Sequence, residues 1–214
     1  MHNTTTGKKL RQGILIAIEG IDGAGKTTQS KRLESDLATE GYRVIYLKEP
    51  TDSKWGKKIR EIAQVGRDNT PPDEELYLFT EDRKEDVHRN IMPALEEKKI
   101  VIMDRYYISS IAYQGALGID IKRITEMNEE FAPVPHLAII LEVEPKVGIL
   151  RITRGRGEKN NYFEREKDLK KVKEIFDSLN EPYIVRIDAS LPEDQVYREI
   201  REVVQRFICN QDIY

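Results

Sequence analysis

The chain has 214 residues, with 35 Lys and Arg against 38 Asp and Glu and a net charge of −3. That length suits one α/β domain with a well-buried core, and the absence of a basic excess argues against nucleic acid as a partner. The lone cysteine, Cys209, forms no intrachain disulfide and reads as a partly packed residue on a terminal helix. No apolar run approaches the roughly 18 residues of a membrane span. No signal peptide precedes the first strand, so a cytoplasmic protein with no membrane partner is expected.

Met1 to Gly13 is polar and aperiodic, and a frayed N-terminal segment is expected there. Ile14 to Ile18 is apolar and β-branched, the pattern of a buried parallel strand. Thr28 to Glu40 follows as a helix, with Leu33, Leu37 and Ala38 on one face and Gly41 ending it. Arg43 to Leu47 reads as a second strand, stopped by Pro50, and Ser53 to Val65 as a helix. Asn69 to Pro72 is a turn, and Asp73 to about Lys98 is expected as one long helix. Ile100 to Met103 is a third strand, ending at Asp104-Arg105. Two short helices cover about Ser109 to Phe131, broken near Gly115 to Gly118. The strand His136 to Val143 follows, and Pro145 opens a helix that leads into the basic run Arg151 to Lys159. A helix from Tyr162 to Leu179, a strand from Tyr183 to Ile187 and a helix from Pro192 to Cys209 complete the chain. Strands alternating with helices predict a doubly wound, five-stranded parallel sheet with helices on both faces, in a single domain over 14–209. Ligands of such sheets bind beyond the carboxyl ends of the strands, where Asp22, Glu49 and Asp104-Arg105 all fall.

Between the first strand and helix lies Gly20-Ile21-Asp22-Gly23-Ala24-Gly25-Lys26-Thr27, which reads G-x-x-x-x-G-K-[ST]. Glycines let the backbone turn its N–H groups onto phosphate oxygens, and the helix N-terminus adds partial positive charge. Gly20 to Thr28 is therefore the candidate ATP site, with Lys26 toward the β- and γ-phosphates and Thr27 as a ligand for Mg²⁺. The loop alone leaves motor, switch, transporter ATPase and kinase open. No N-K-x-D loop is present, and Met103-Asp104-Arg105 puts a cation where Asp-Glu ATPases carry Glu. Asp104 suits the Mg²⁺ shell, and Arg105 suits neutralising an acceptor or transferring phosphate. Arg151, Arg154 and Arg156, interleaved with Gly155 and Gly157, read as a flexible lid over about 151–162 that keeps water from the γ-phosphate.

Together these residues carry a resemblance to the thymidylate kinase family, running from about Ile14 to Phe207. Its carriers are Ile18 to Gln29, Glu49-Pro50-Thr51, Gly56 with Ile59-Arg60, Phe79 with Arg83, Asp104-Arg105-Tyr106, Ser109 to Gly115, and Arg151 through Glu164. The resemblance implies Mg²⁺-dependent transfer from ATP to dTMP by a homodimer. It implies that Phe79 stacks on thymine while Arg83 hydrogen-bonds a base carbonyl, with Ser110 and Gln114 near the base edge. Tyr113 is implied to crowd the sugar 2′ position, and Asp22 to accept from the 3′-hydroxyl. Arg60 and Arg105 are implied to hold the acceptor phosphate, with Glu49 close to it and to magnesium. Lys26 and the lid arginines would stabilise the transferring phosphoryl group. Where some relatives carry a basic residue inside the phosphate loop, this chain has Gly23-Ala24, so Arg151 and Arg154 are the expected suppliers of charge. Where many bacterial relatives have Arg before Glu-Pro, this chain has Lys48. The competing readings are a kinase for another nucleotide and a switch or ATPase with no small acceptor.

Overall fold

The computed structural model describes residues 8–65, 70–156 and 162–211. In chain order its elements are β1 (Ile14–Glu19), α1 (Lys26–Thr39), β2 (Val44–Lys48), α2 (Lys54–Val65) and α3 (Pro72–Asp86). They continue as α4 (Met92–Glu96), β3 (Ile100–Asp104), α5 (Tyr107–Ala116), α6 (Ile121–Glu129) and β4 (Leu137–Glu142). The last are α7 (Pro145–Arg156), α8 (Tyr162–Ser178), β5 (Ile184–Asp188) and α9 (Glu193–Gln211). The five strands are all parallel, in the order β2-β3-β1-β4-β5. β1, β3 and β4 lie inside the sheet and are buried on both faces, so their sequences are continuous apolar runs rather than alternating ones. The edge strands β2 and β5 are only partly buried. Helices group in two layers: α1 packs on α9, while α5 packs on α3, α6 and α8.

The strand order places β3 and β4 on opposite sides of β1, and the register sets Ile18 opposite Asp104. The loop after β1 and the Asp104-Arg105 step after β3 therefore open side by side at the carboxyl edge of the sheet. Four expectations change. The frayed segment expected up to Gly13 is held down from its eighth residue: Lys8 donates to the Gly41 carbonyl at 2.9 Å and Leu10 is buried in the core. Residues 1–7 lie outside the described residues. The single helix expected from Asp73 to Lys98 is divided into α3 and α4 by a π-helical turn, Val87–Ile91. Pro93 lacks an N–H and its ring crowds the preceding turn, and the wider turn just before it absorbs the misfit. The basic run starts inside a regular helix, because α7 continues through Arg156; residues 157–161 of the expected lid lie outside the described residues. Cys209 is exposed on α9 rather than packed. Among the described residues no helix is long and apolar enough to cross a membrane.

Candidate active site

A cleft of about 1670 Å³ runs along the carboxyl edge of the sheet, floored by Gly23 to Gln29 and reaching Arg60 and Glu75 at one end and Arg151 and Ala189 at the other. The phosphate loop forms its floor because its glycines take up left-handed backbone, with φ of 131° at Gly20, 82° at Gly23 and 98° at Gly25. Lys26 is buried, and its ammonium donates to the carbonyls of Gly20 at 3.0 Å and Ile21 at 2.8 Å. Burial, and then the charge of Arg105, push that ammonium down to about 7, against Asp22, Asp104 and Glu19. An incoming phosphate would replace the two carbonyls and restore the positive charge.

Thr27 donates its hydroxyl to Asp104 Oδ2 at 2.5 Å. The Tyr46 hydroxyl donates to the same oxygen at 3.0 Å, and the Lys48 ammonium stands 3.5 Å from it and 3.2 Å from Thr27 Oγ1. A hydroxyl and a carboxylate meeting beside a phosphate loop are hard oxygen donors that fit Mg²⁺, which binds few protein groups and keeps phosphate and water ligands. No group of three or more His, Cys, Asp or Glu side chains suited to a metal occurs among the described residues.

Arg105 follows Asp104 in left-handed backbone, φ 74°, which is costly for a residue with a side chain and turns it back over the phosphate loop. Its guanidinium pairs with Asp22, donates to Ser109 Oγ at 3.1 Å and lies 5.0 Å from the Tyr113 ring. Asp22, Arg105 and Tyr113 thus form one cluster on the cleft wall.

Asp82 shapes the loop after β2. It accepts from the Thr51 N–H at 2.8 Å, the Thr51 hydroxyl at 2.6 Å and the Ser53 hydroxyl at 2.6 Å. The Ser53 oxygen in turn accepts from the N–H groups of Trp55 and Gly56, capping α2. α2 carries Arg60 back to the loop, where it donates to the Pro50 and Thr51 carbonyls at 3.0 and 2.7 Å and pairs with Asp52 at 3.0 Å.

The side chains assigned to the base sit deeper. Arg83 is 1% exposed and Glu49 2%. Arg83 Nε donates to both Glu49 oxygens at 3.0 Å, and further bonds run to Asn128 Oδ1 at 2.5 Å and Ser110 Oγ at 3.1 Å. Burial pushes the Glu49 carboxyl upward, against the pull of Arg83. Gln114 is buried and donates to Glu75 Oε1 at 3.0 Å, leaving its own carbonyl oxygen without a hydrogen-bond partner. Phe79 is half-buried, one turn before Arg83 on α3. Arg151 reaches from α7 to the carbonyls of Gly23 at 3.4 Å and Ala189 at 2.9 Å, and Arg154 is exposed one turn further on. Glu19, Glu75, Asp82 and Asn128 were not legible as site residues. An acid closing an otherwise apolar strand was the signal for Glu19, while the other three look like ordinary polar helix residues.

One turn beyond Arg83, Asp86 accepts from Asn90 at 2.6 Å, while its second oxygen is buried without a partner. Burial pushes its carboxyl up to about 6. A folded-state value above the unfolded one means that Asp86 favours folding at low pH and loses that contribution as pH rises through about 6. Between about pH 4 and 7 Asp86→Asn is therefore expected to gain roughly 2–3 kcal/mol of stability relative to the parent. Urea melts at both ends of that window check it, and parallel stability curves would refute it.

The thymidylate kinase family model matches residues 18–200 of the chain. The chain is 47% identical over 195 residues to a protein of Archaeoglobus fulgidus described as a probable thymidylate kinase, covering 91% of this chain and 96% of that one. It is 46% identical over 196 residues to the thymidylate kinase of Desulfotalea psychrophila, covering 92% and 96% of the two chains. It is 44% identical over 192 residues to that of Xanthomonas oryzae pv. oryzae, covering 90% and 83%. With the phosphate loop, the Asp104-Arg105 step and the matched length in agreement, the chain belongs to the thymidylate kinase family.

Proposed function

We propose that the chain is a thymidylate kinase that transfers the γ-phosphoryl group of Mg-ATP to dTMP, giving dTDP and ADP, with the residues of this cleft and the buried side chains outside its lining in the roles given below. The observation that carries the reading is the pairing of two phosphate-binding devices at adjacent strand ends. Lys26 and its loop follow β1, and Arg105 follows β3, across the Ile18–Asp104 register.

ATP lies with its phosphates on Gly20 to Thr28, and Thr27 and Asp104 hold Mg²⁺. Bound there, Mg²⁺ supplies charge neutralisation at the phosphate oxygens. Arg105 and Arg60 bind the acceptor phosphate, and the half-exposed Asp22 exchanges its pairing with Arg105 for the 3′-hydroxyl. Phe79 stacks on thymine, Arg83 and Ser110 address a base carbonyl, and Gln114 offers its free carbonyl oxygen to the base edge. Glu49 acts through Arg83, to which it is paired. An acceptor phosphate oxygen attacks the γ-phosphorus as the bond to the departing ADP oxygen breaks. That oxygen is already anionic, so no general base is needed, and catalysis is positioning and electrostatic stabilisation. Lys26, Arg151 and Arg154 stabilise the transferring group, and α7 brings the two lid arginines in from the far end of the cleft.

The test is ADP release from Mg-ATP with dTMP, dUMP, UMP, CMP and AMP as separate acceptors. We expect dTMP to be preferred and dUMP to be poorer by roughly 10–200-fold, the worth of one methyl in an apolar pocket. UMP should be poorer still because Tyr113 crowds the 2′ position, and equal rates with dTMP and UMP would remove that role. Hydrolysis of ATP indifferent to all five acceptors would move the assignment to a switch or ATPase. The resemblance further implies a homodimer acting in the cytoplasm, and light scattering at twice the chain mass is the expected result.

A further inference from the structure

Glu19 has no part in the chemistry above, yet it is the last residue of β1 and fully buried between the two phosphate devices. Its carboxylate accepts from the N–H of Tyr106 at 2.8 Å, the N–H of Ser109 at 3.3 Å and the hydroxyl of Ser109 at 2.5 Å. It thereby caps the N-terminus of α5, whose own cap residue, Tyr106, makes no side-chain cap. These bonds bracket Arg105, the one residue between β3 and Tyr106, and hold the left-handed turn from its C-terminal side. From the N-terminal side Arg105 donates its own N–H to the Ile18 carbonyl at 3.1 Å.

The Ser109 hydroxyl links the two side chains. A carboxylate only accepts, so Ser109 must spend its single hydrogen on Glu19. Its lone pairs are then turned toward Arg105 Nη1, which donates to it at 3.1 Å. The chain Glu19–Ser109–Arg105 therefore has one hydrogen-bond polarity, fixed at its buried end. We infer that Glu19 is a positioning residue that aims the Arg105 guanidinium at the acceptor phosphate, resting on the reading of Arg105 given above. Burial pushes the Glu19 carboxyl up to about 7, opposed by Ser109, Arg105, Tyr106 and Lys26.

Glu19→Gln keeps the shape and still accepts from Tyr106, but its amide donates toward Ser109. Ser109 then accepts from the amide as well as from Arg105 Nη1, its hydrogen loses the charged acceptor at position 19, and the carboxylate no longer holds the Ser109–Arg105 link in place. Calorimetric titrations with dTMP and with thymidine, at about pH 8 where Glu19 is ionised in the parent, separate the roles. We expect E19Q to weaken dTMP binding about tenfold, within the range of residues sharing one hydrogen-bond network. Thymidine, which has no phosphate for Arg105, should bind as it does to the parent. Ser109→Ala should reproduce the loss, and in an Arg105→Ala background E19Q should add nothing. Equal weakening of dTMP and thymidine, or a full additional loss in the Arg105→Ala background, would reduce Glu19 to a helix cap and overturn the inference. Loss of dTMP affinity in Arg105→Ala with none in E19Q would overturn it alone. Unchanged dTMP affinity in Arg105→Ala would remove the acceptor-phosphate reading and this inference with it.

Discussion

Arg105→Ala is expected to remain folded, to bind Mg-ATP, and to transfer phosphoryl to dTMP about a thousandfold more slowly or worse. A single preorganised donor to developing charge is worth roughly 10²–10³ in rate, and an arginine on a transferring phosphoryl group roughly 10³–10⁵. Arg105 serves the acceptor in a cleft where its field is little screened, so a value between those ranges is the physical expectation. Arg105→Lys should recover only part of the rate, since a point charge cannot reproduce the planar fork. Charge reversal to Glu, beside Asp22, should abolish transfer. The fold should survive because the Arg105 guanidinium bonds to polar side chains on the cleft wall and the Asp22 left behind is half exposed to water. Steady-state turnover with a thermal melt on the same samples checks both halves. Turnover near the parental rate in the alanine variant would refute the assigned role.

Gly23→Ala should be among the most damaging single methyl additions in the molecule. A Cβ at Gly23 would stand 2.1 Å from the Gly148 carbonyl oxygen, and the residue has φ 82°. The contact is reciprocal, since a Cβ at Gly148 would stand 2.4 Å from the Asp22 carbonyl oxygen. The phosphate loop and the first turn of α7 touch backbone to backbone, and neither can yield as a flexible side chain does. Strain in the left-handed region adds about 1–2 kcal/mol to an overpacking cost of about 1–3 kcal/mol. For a domain of this size the sum corresponds to a fall in the melting midpoint on the order of 10 °C. ATP affinity should fall as well, because relief requires the loop to move off α7, which carries Arg151. Gly25→Ala is the control for stability, with a similar φ of 98° but open space where the Cβ would stand. It should lose only the strain contribution, and equal midpoints for the two variants would show that the close approach carries no weight.

Much of this molecule is local, and local features can be read from a linear chain. The runs Ile14 to Ile18, Ile100 to Met103 and Leu137 to Leu141 are apolar at every position because those strands are covered on both faces. The phosphate loop is a continuous stretch whose glycines, lysine and threonine act within a few residues of one another. Arg83, Glu49 and Ser110 were legible as site residues through the resemblance, but their pairing, and the part of Asn128 in it, were not. Glu49 comes from the end of β2 and Asn128 from α6, and only the register of the sheet and the packing of α3 against α5 bring them together. The break before Pro93 was missed for a different reason. Proline forbids a regular bond at one position, yet whether the helix ends or widens there depends on what its other face packs against. Glu19 is the limiting case. The sequence by itself determined that an acid ends the first strand, immediately before the phosphate loop. Only the tertiary structure decided that its oxygens meet Tyr106 and Ser109 from a segment about ninety residues away, because hydrogen-bond partners across a parallel sheet are chosen by strand order and register, neither of which any short stretch of chain encodes.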